Sequence, residues 1–188
     1  MYIRMENSER RRQRKNLRTA RELLSWVFCI CGAVLAALLL RLFVFEMVRV
    51  DGPSMQPTLY KDQTVFVEKI SSASGKIERF DVVIVRYPNR EGAYVKRVVG
   101  LPGDTIEIKN DGHLYINGER QEESYLLEEL IIPGFDAYTV PEGCYFVMGD
   151  NRNNSLDSRS ADVGAIAKED IIGHALFVVW PLNQMKKI

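Results

Sequence analysis

Residues 23–40 read LLSWVFCICGAVLAALLL, eighteen positions without one charged side chain and with only Ser25 and Gly32 outside the apolar set. As a helix rising about 1.5 Å per residue, the run spans roughly 27 Å, close to the roughly 30 Å hydrocarbon core of a bilayer. A buried core helix of this length would show a polar face, and the apolar region of a cleaved signal sequence is about 7 to 15 residues, so the run reads as a transmembrane helix. Apolar character resumes over Leu42 to Phe45 after Arg41, which places the membrane segment at residues 23–45.

Outward from this run the two flanks differ. The chain's 25 Lys+Arg and 25 Asp+Glu cancel, which excludes a uniformly basic nucleic-acid binder and an acidic disordered chain. The zero hides a split, because residues 1–22 hold eight basic side chains against three acidic ones, a net +5 that the remainder balances with −5. Lys and Arg beside an apolar span stay on the cytoplasmic side, so residues 1–22 are expected to be a cytoplasmic tail and residues 46–188 to lie outside the cytoplasm. The basic tail is then a topology signal for a lipid bilayer, and no nucleic-acid partner is expected. Cys29, Cys31 and Cys144, three in all, are too few and odd in number for a disulfide framework, and too few for a Cys-rich zinc module.

Beyond Glu46, short runs rich in Val, Ile, Phe and Tyr are broken by Gly, Pro, Asn and Asp. Thr64–Ile70, Asp81–Tyr87, Ala93–Val99, Thr105–Lys109, His113–Ile116, Cys144–Met148 and Ala175–Trp180 read as strands. Asn110-Asp111-Gly112 supplies the positive φ that a tight hairpin turn needs. Helical signal is scarce: Lys168 to Ile171 allows one turn, and Glu122 to Ile132 is ambiguous between helix and loop. The exported part is therefore mostly β and antiparallel, a sheet or barrel-like domain anchored by one N-terminal transmembrane helix.

Ten serines occur, so context must select any nucleophile. Ser54 lies in Asp51-Gly52-Pro53-Ser54-Met55-Gln56-Pro57-Thr58-Leu59, where the prolines stiffen a turn and aim the hydroxyl. Taken alone, the stretch is also read as a Pro-rich turn without chemistry. The residues between Phe45 and Ser54 reach at most about 30 Å even when fully extended, which ties Ser54 close to the membrane. A serine needs a base, and the two histidines, His113 and His174, have no orienting acid nearby in sequence and read as structural.

The other available base is a lysine kept neutral by apolar surroundings. In Ala93-Tyr94-Val95-Lys96-Arg97-Val98-Val99-Gly100, period two puts Lys96 and Arg97 on opposite faces, so the two cations have different partners. An edge strand with solvated charges is the competing reading of the same run. The polar segment from Gly149 to Arg159 follows a strand and reads as a loop with an internal hydrogen-bond network. It fails the calcium-loop pattern, with Arg152 and Ser155 in required positions, and Asn153-Asn154-Ser155 is a sequon of low specificity. Ser74-Gly75-Lys76 lacks the first glycine of a phosphate loop.

These three clusters, in this order after one membrane helix, resemble the bacterial type I signal peptidases, membrane serine proteases with a Ser-Lys dyad. Gly52 to Leu59 is similar to that family's nucleophile box, Tyr94 to Asp104 to its lysine box, and Gly149 to Arg159 to its late Gly-Asp-Asn-Arg box. The resemblance runs from Val48 to Trp180 and leaves the stretch near residues 121–138 matched only in character. It implies that Ser54 is the nucleophile, Lys96 the general base and Ser155 the residue that orients the lysine. It also implies supporting ion pairs of Arg97 with Asp150 and of Arg159 with Asp157.

Some members of that family carry a serine where this chain has Gly52, so an oxyanion hole here must rely on backbone donors, the Ser54 N–H first. The implied activity is an endopeptidase that removes signal peptides from preproteins at the outer face of the cytoplasmic membrane, after Ala-x-Ala-type sites and without a cofactor or metal. Two rivals carry other duties: an anchored β domain that binds partners without catalysis, and a Ser-Lys peptidase with a dedicated substrate.

Overall fold

The structure, a computed structural model, describes residues 2–73 and 75–188, with side chains from residue 21 onward apart from Ala73. Ser74 and the basic side chains of residues 1–20 lie outside the described residues. A single helix, α1, runs from Tyr2 to Phe43, and its Arg21–Phe43 portion is apolar and long enough to cross a membrane. Arg41 in the last turn complements the negative end of the helix dipole. The chain divides into two compact units, Met1–Leu42 and Phe43–Ile188. The apolar run read as 23–45 thus ends at Phe43 as helix, and Phe45 opens a strand because alternating Phe, Met and Arg suit a pleated edge better than a continued helix.

The second unit is built of twelve strands: β1 (Phe45–Arg49), β2 (Thr64–Glu68), β3 (Val82–Val85), β4 (Tyr94–Gly100), β5 (Thr105–Ile108), β6 (Leu114–Ile116), β7 (Glu119–Arg120), β8 (Phe135–Thr139), β9 (Cys144–Met148), β10 (Ile166–Ala167), β11 (Ile171–Trp180) and β12 (Lys186–Lys187). The Asn110-Asp111-Gly112 turn joins β5 to β6, with Gly112 at φ +77°. The run expected to continue to Ile70 stops at Glu68, whose carboxylate accepts the Ser71 N–H at 3.0 Å and starts a one-turn helix, α2 (Ile70–Ala73). β11 starts at Ile171, earlier than Ala175, after a 3-10 turn at Lys168–Asp170. Gly173 permits that longer strand, because a Cβ there would press into the Glu68 backbone carbonyl.

All pairings are antiparallel. The large sheet has the order β1-β2-β11-β3-β4-β9-β10 with β12 alongside β11, and the small one has the order β7-β6-β5-β8. No pairing joins β1 to β10, so the large sheet stays open where a barrel would close. Three apolar clusters hold the unit together. One gathers Val50, Met55, Leu59, Val65 and Val95 under the large sheet, a second gathers Val83, Val98, Tyr145 and Ile166, and the third joins the two sheets through Val99, Ile106, Leu114 and Phe146.

Candidate active site

Met55 and Leu59 follow the Ser54 turn and are buried in the first cluster, so burial of these two side chains fixes the turn to the sheet and leaves Ser54 at its surface. The loop after β9 holds the turn from the other side. The Asn151 N–H donates to the Ser54 carbonyl at 3.0 Å, and the Asn151 amide reaches the Pro53 carbonyl at 3.3 Å. Gly149 is required at this approach, because a Cβ would collide with Ser155 Oγ and the Ser54 carbonyl oxygen.

β4 is flanked by β3 and β9, which disposes of the edge-strand reading of its cations. Lys96 is 2% exposed, and its Nζ lies 2.7 Å from Ser54 Oγ. Burial is the chief cause that lowers the Lys96 pKa from 10.5 to about 8; Asp157 and Asp150 pull it upward, and Arg159 adds to the fall. An amine of that pKa is substantially neutral near pH 8 and able to accept the serine proton. A cleft of about 410 Å³ opens beside the pair, lined among others by Val50, Gly52, Met55, Tyr94 and Leu156. None of the hydrogen bonds among the described residues uses the Ser54 N–H, which stays available to an oxyanion.

On the opposite face of β4, Arg97 grips Asp150 with Nε and one terminal nitrogen at 2.8 and 2.7 Å and donates its other terminal nitrogen to the Phe80 carbonyl at 2.8 Å. The Thr58 hydroxyl donates a short bond to the same Asp150 carboxylate, so the Ser54 turn and the lysine strand meet on one buried acid. Arg159 grips Asp157 in the same two-pronged way, at 2.8 Å twice, and the Gly149 N–H adds a third donor at 3.0 Å. Burial, the largest influence on Asp157, would raise its pKa; the bond and charge of Arg159, the Gly149 N–H and the nearby Ser155 hydroxyl outweigh it and hold the carboxyl below the usual range.

Ser155 Oγ is buried and makes no hydrogen bond of good geometry, so the bond to Lys96 that the resemblance implies is not formed in this structure; the Lys96 amine is directed at Ser54. An acid does stand beside His174, whose Nε2 is 3.1 Å from Asp81 Oδ2 without the alignment of a hydrogen bond. Neither imidazole hydrogen-bonds Ser54 among the described residues. Thr58, Glu123 and Tyr125 escaped the sequence reading. Thr58 sits within the nucleophile box, where attention to a second hydroxyl would have found it, whereas Glu123 and Tyr125 meet the site only through the tertiary fold.

The Ser54 hydroxyl and the buried Lys96 amine thus meet at the surface of an antiparallel sheet, beside two ion pairs whose acids are buried. Comparison with known proteins gives the family. The family model described as signal peptidase, peptidase S26, matches residues 23–180. Signal peptidase I S of Bacillus subtilis (strain 168) is 43% identical over 92% of this chain and 97% of its own, and signal peptidase I of Bacillus licheniformis is 41% identical over 93% and 98%. A crystal structure of a signal peptidase I from Enterococcus faecalis V583 is 34% identical, covering 52% of this chain and 95% of that one at a TM-score of 0.44. The chain belongs to the signal peptidase family, peptidase S26. It is a membrane-anchored serine endopeptidase that processes the signal peptides of preproteins.

Proposed function

We propose that Ser54 and Lys96 form the catalytic dyad. In acylation the Ser54 hydroxyl proton passes to neutral Lys96 as Oγ attacks the scissile carbonyl. The C–N bond then breaks, and the proton goes on to the leaving amine of the mature protein. A water deprotonated by the same lysine hydrolyses the acyl-Ser54 ester, which frees the signal peptide and restores the serine proton. The Ser54 N–H takes the oxyanion, because Gly52 brings no hydroxyl and Pro53 no N–H. Asp150 with Arg97, and Asp157 with Arg159, brace the two halves of the site. Ser155, a half-buried residue whose Oγ is enclosed and without a hydrogen-bond partner, orients the lysine when substrate is bound.

The substrate enters extended, with small side chains one and three residues before the cut, as in Ala-x-Ala. The cleft beside Ser54 supports this reading, since alternate side chains of an extended peptide face one wall. Residues 1–22 form the cytoplasmic tail, and the helix anchors the enzyme in the lipid bilayer with residues 46–188 at the outer face, as the basic flank supports.

The observation that carries the proposal is the 2.7 Å approach of the buried Lys96 amine to Ser54 Oγ at the floor of a cleft. Purified full-length Ser54→Ala and Lys96→Ala variants, incubated with a preprotein in detergent, are expected to lose on the order of a thousandfold or more in cleavage rate while keeping the wild-type circular dichroism. Processing at the wild-type rate by either variant removes the dyad.

A further inference from the structure

The segment between β7 and β8, in which the sequence alone shows no regular pattern, crosses to the catalytic loop and grips it. The Glu123 carboxylate takes both terminal nitrogens of Arg152, at 2.8 and 2.5 Å, with the two side chains only 3% and 0% exposed. Arg152 Nε in turn donates to the Gly149 carbonyl at 2.9 Å, so the guanidinium staples Glu123 to the backbone that presses on Ser54 and Ser155. The Tyr125 hydroxyl donates to Glu123 at 2.6 Å, and the face of its ring lies 4.0 Å from the Arg97 guanidinium, the immediate chain neighbour of Lys96. Further along, the Asn153 amide donates to the Leu130 carbonyl at 3.0 Å and accepts the Ile132 N–H at 2.9 Å.

We propose that residues 121–132 are a positioning strap: Glu123 and Tyr125 hold the 149–155 loop and Arg97 in place around the Ser54–Lys96 pair, so that turnover depends on both although neither touches the reacting atoms. This rests on the dyad assigned above. A buried Arg-Glu pair is a poor way to hold a segment for stability alone, since apolar residues of similar size serve as well or better. What the planar two-pronged pair adds is direction, and Arg152 stands in the loop that carries Asp150, Ser155 and Asp157. Tyr125 completes the enclosure of Arg97, whose guanidinium has Asp150 at its edge and the ring on its face. The charged groups around Lys96 are Asp157, Arg159 and Asp150 from the loop, while β3 places the apolar Val83 opposite it. A loop that slackens therefore moves the charges about the lysine and admits water to it, and both changes affect the base.

The test uses the full chain in detergent, with kcat, KM and the pH profile of kcat/KM measured for Tyr125→Leu, Tyr125→Phe and Glu123→Gln beside Ser54→Ala and Lys96→Ala, each checked by thermal unfolding. Tyr125→Leu and Glu123→Gln are expected to lose roughly 10- to 100-fold in kcat with KM little changed, as small misplacements of a reacting group do. Their acidic limb moves to higher pH as Lys96 gains solvent. Tyr125→Phe keeps the ring over Arg97 and is expected to retain most of the rate. Wild-type kcat and pH profile in folded Tyr125→Leu, or a Tyr125→Phe variant as impaired as Tyr125→Leu, overturns the strap. Should Tyr125→Leu or Glu123→Gln fail to fold, Glu123→Asp, which keeps the charge and withdraws it by one methylene, is read by the same two measurements with the same outcomes. Activity surviving in Ser54→Ala or Lys96→Ala instead brings down the dyad, so the two failures are told apart.

Discussion

Lys96 is held where its charge is disfavoured, and the same burial that lowers its pKa destabilises the protein. Its pKa falls from 10.5 to about 8, so below about pH 8 the folded state carries a buried ammonium that the unfolded chain would solvate. Between about pH 8 and 10.5 the unfolded state binds the extra proton, so this contribution makes stability rise with pH across that window. With Lys96 as the proposed base, kcat/KM is expected to climb with pH along an acidic limb with an apparent pKa near 8, and a flat profile from about pH 6 to 10 counts against that role. Lys96→Met is expected to be inactive yet more stable at pH 7, by up to about 3 kcal/mol, with the gain shrinking toward pH 10. Urea unfolding at the two pH values measures it. The chemistry of this residue was open to reading from its apolar neighbours; its burial was not, because an edge strand and a central strand share one alternating pattern.

Among the elements, β9 has two duties. Its Cys144–Met148 run is legible as a continuous apolar strand, and it delivers the chain directly to the polar loop at Gly149–Arg159. It also joins the sheets: fully buried Phe146 packs its ring 5.4 Å from Phe135 and 5.6 Å from Tyr138, both on β8. Phe146→Ala is expected to cost about 3 to 5 kcal/mol, read as a lower urea midpoint with unchanged slope. A loss below about 1 kcal/mol would show that the two sheets do not share a core. β8 itself was not foreseen, since Phe135–Thr139 has two consecutive exposed positions at its centre and no clean alternation. The two-residue strands β7, β10 and β12 were likewise hidden, because two residues carry no period.

At the scale of the molecule, the three apolar clusters all lie within Phe43–Ile188, so that unit carries its own core. A chain starting at Phe43 is expected to unfold in one cooperative transition, whereas one starting at Val50 lacks β1 and exposes the edge of β2. Thermal melts of the two compare them directly, with the shorter one melting lower or aggregating. Equal melting of both would mean that β1 adds nothing to the fold.

The apolar run, the basic flank, most of the longer strands and the candidacy of Ser54, Lys96 and the late polar loop follow from local chemistry, because hydropathy, turn propensity and box spacing are written over neighbouring residues. Their assembly does not. Whether Lys96 meets Ser54, whether Arg97 lies over Tyr125, and whether Glu123 closes on Arg152 depend on contacts 42, 28 and 29 residues apart along the chain. Such pairings are selected only when burial of the sheets' apolar faces brings distant strands together, and with that burial comes the loss of water that lowers the Lys96 pKa.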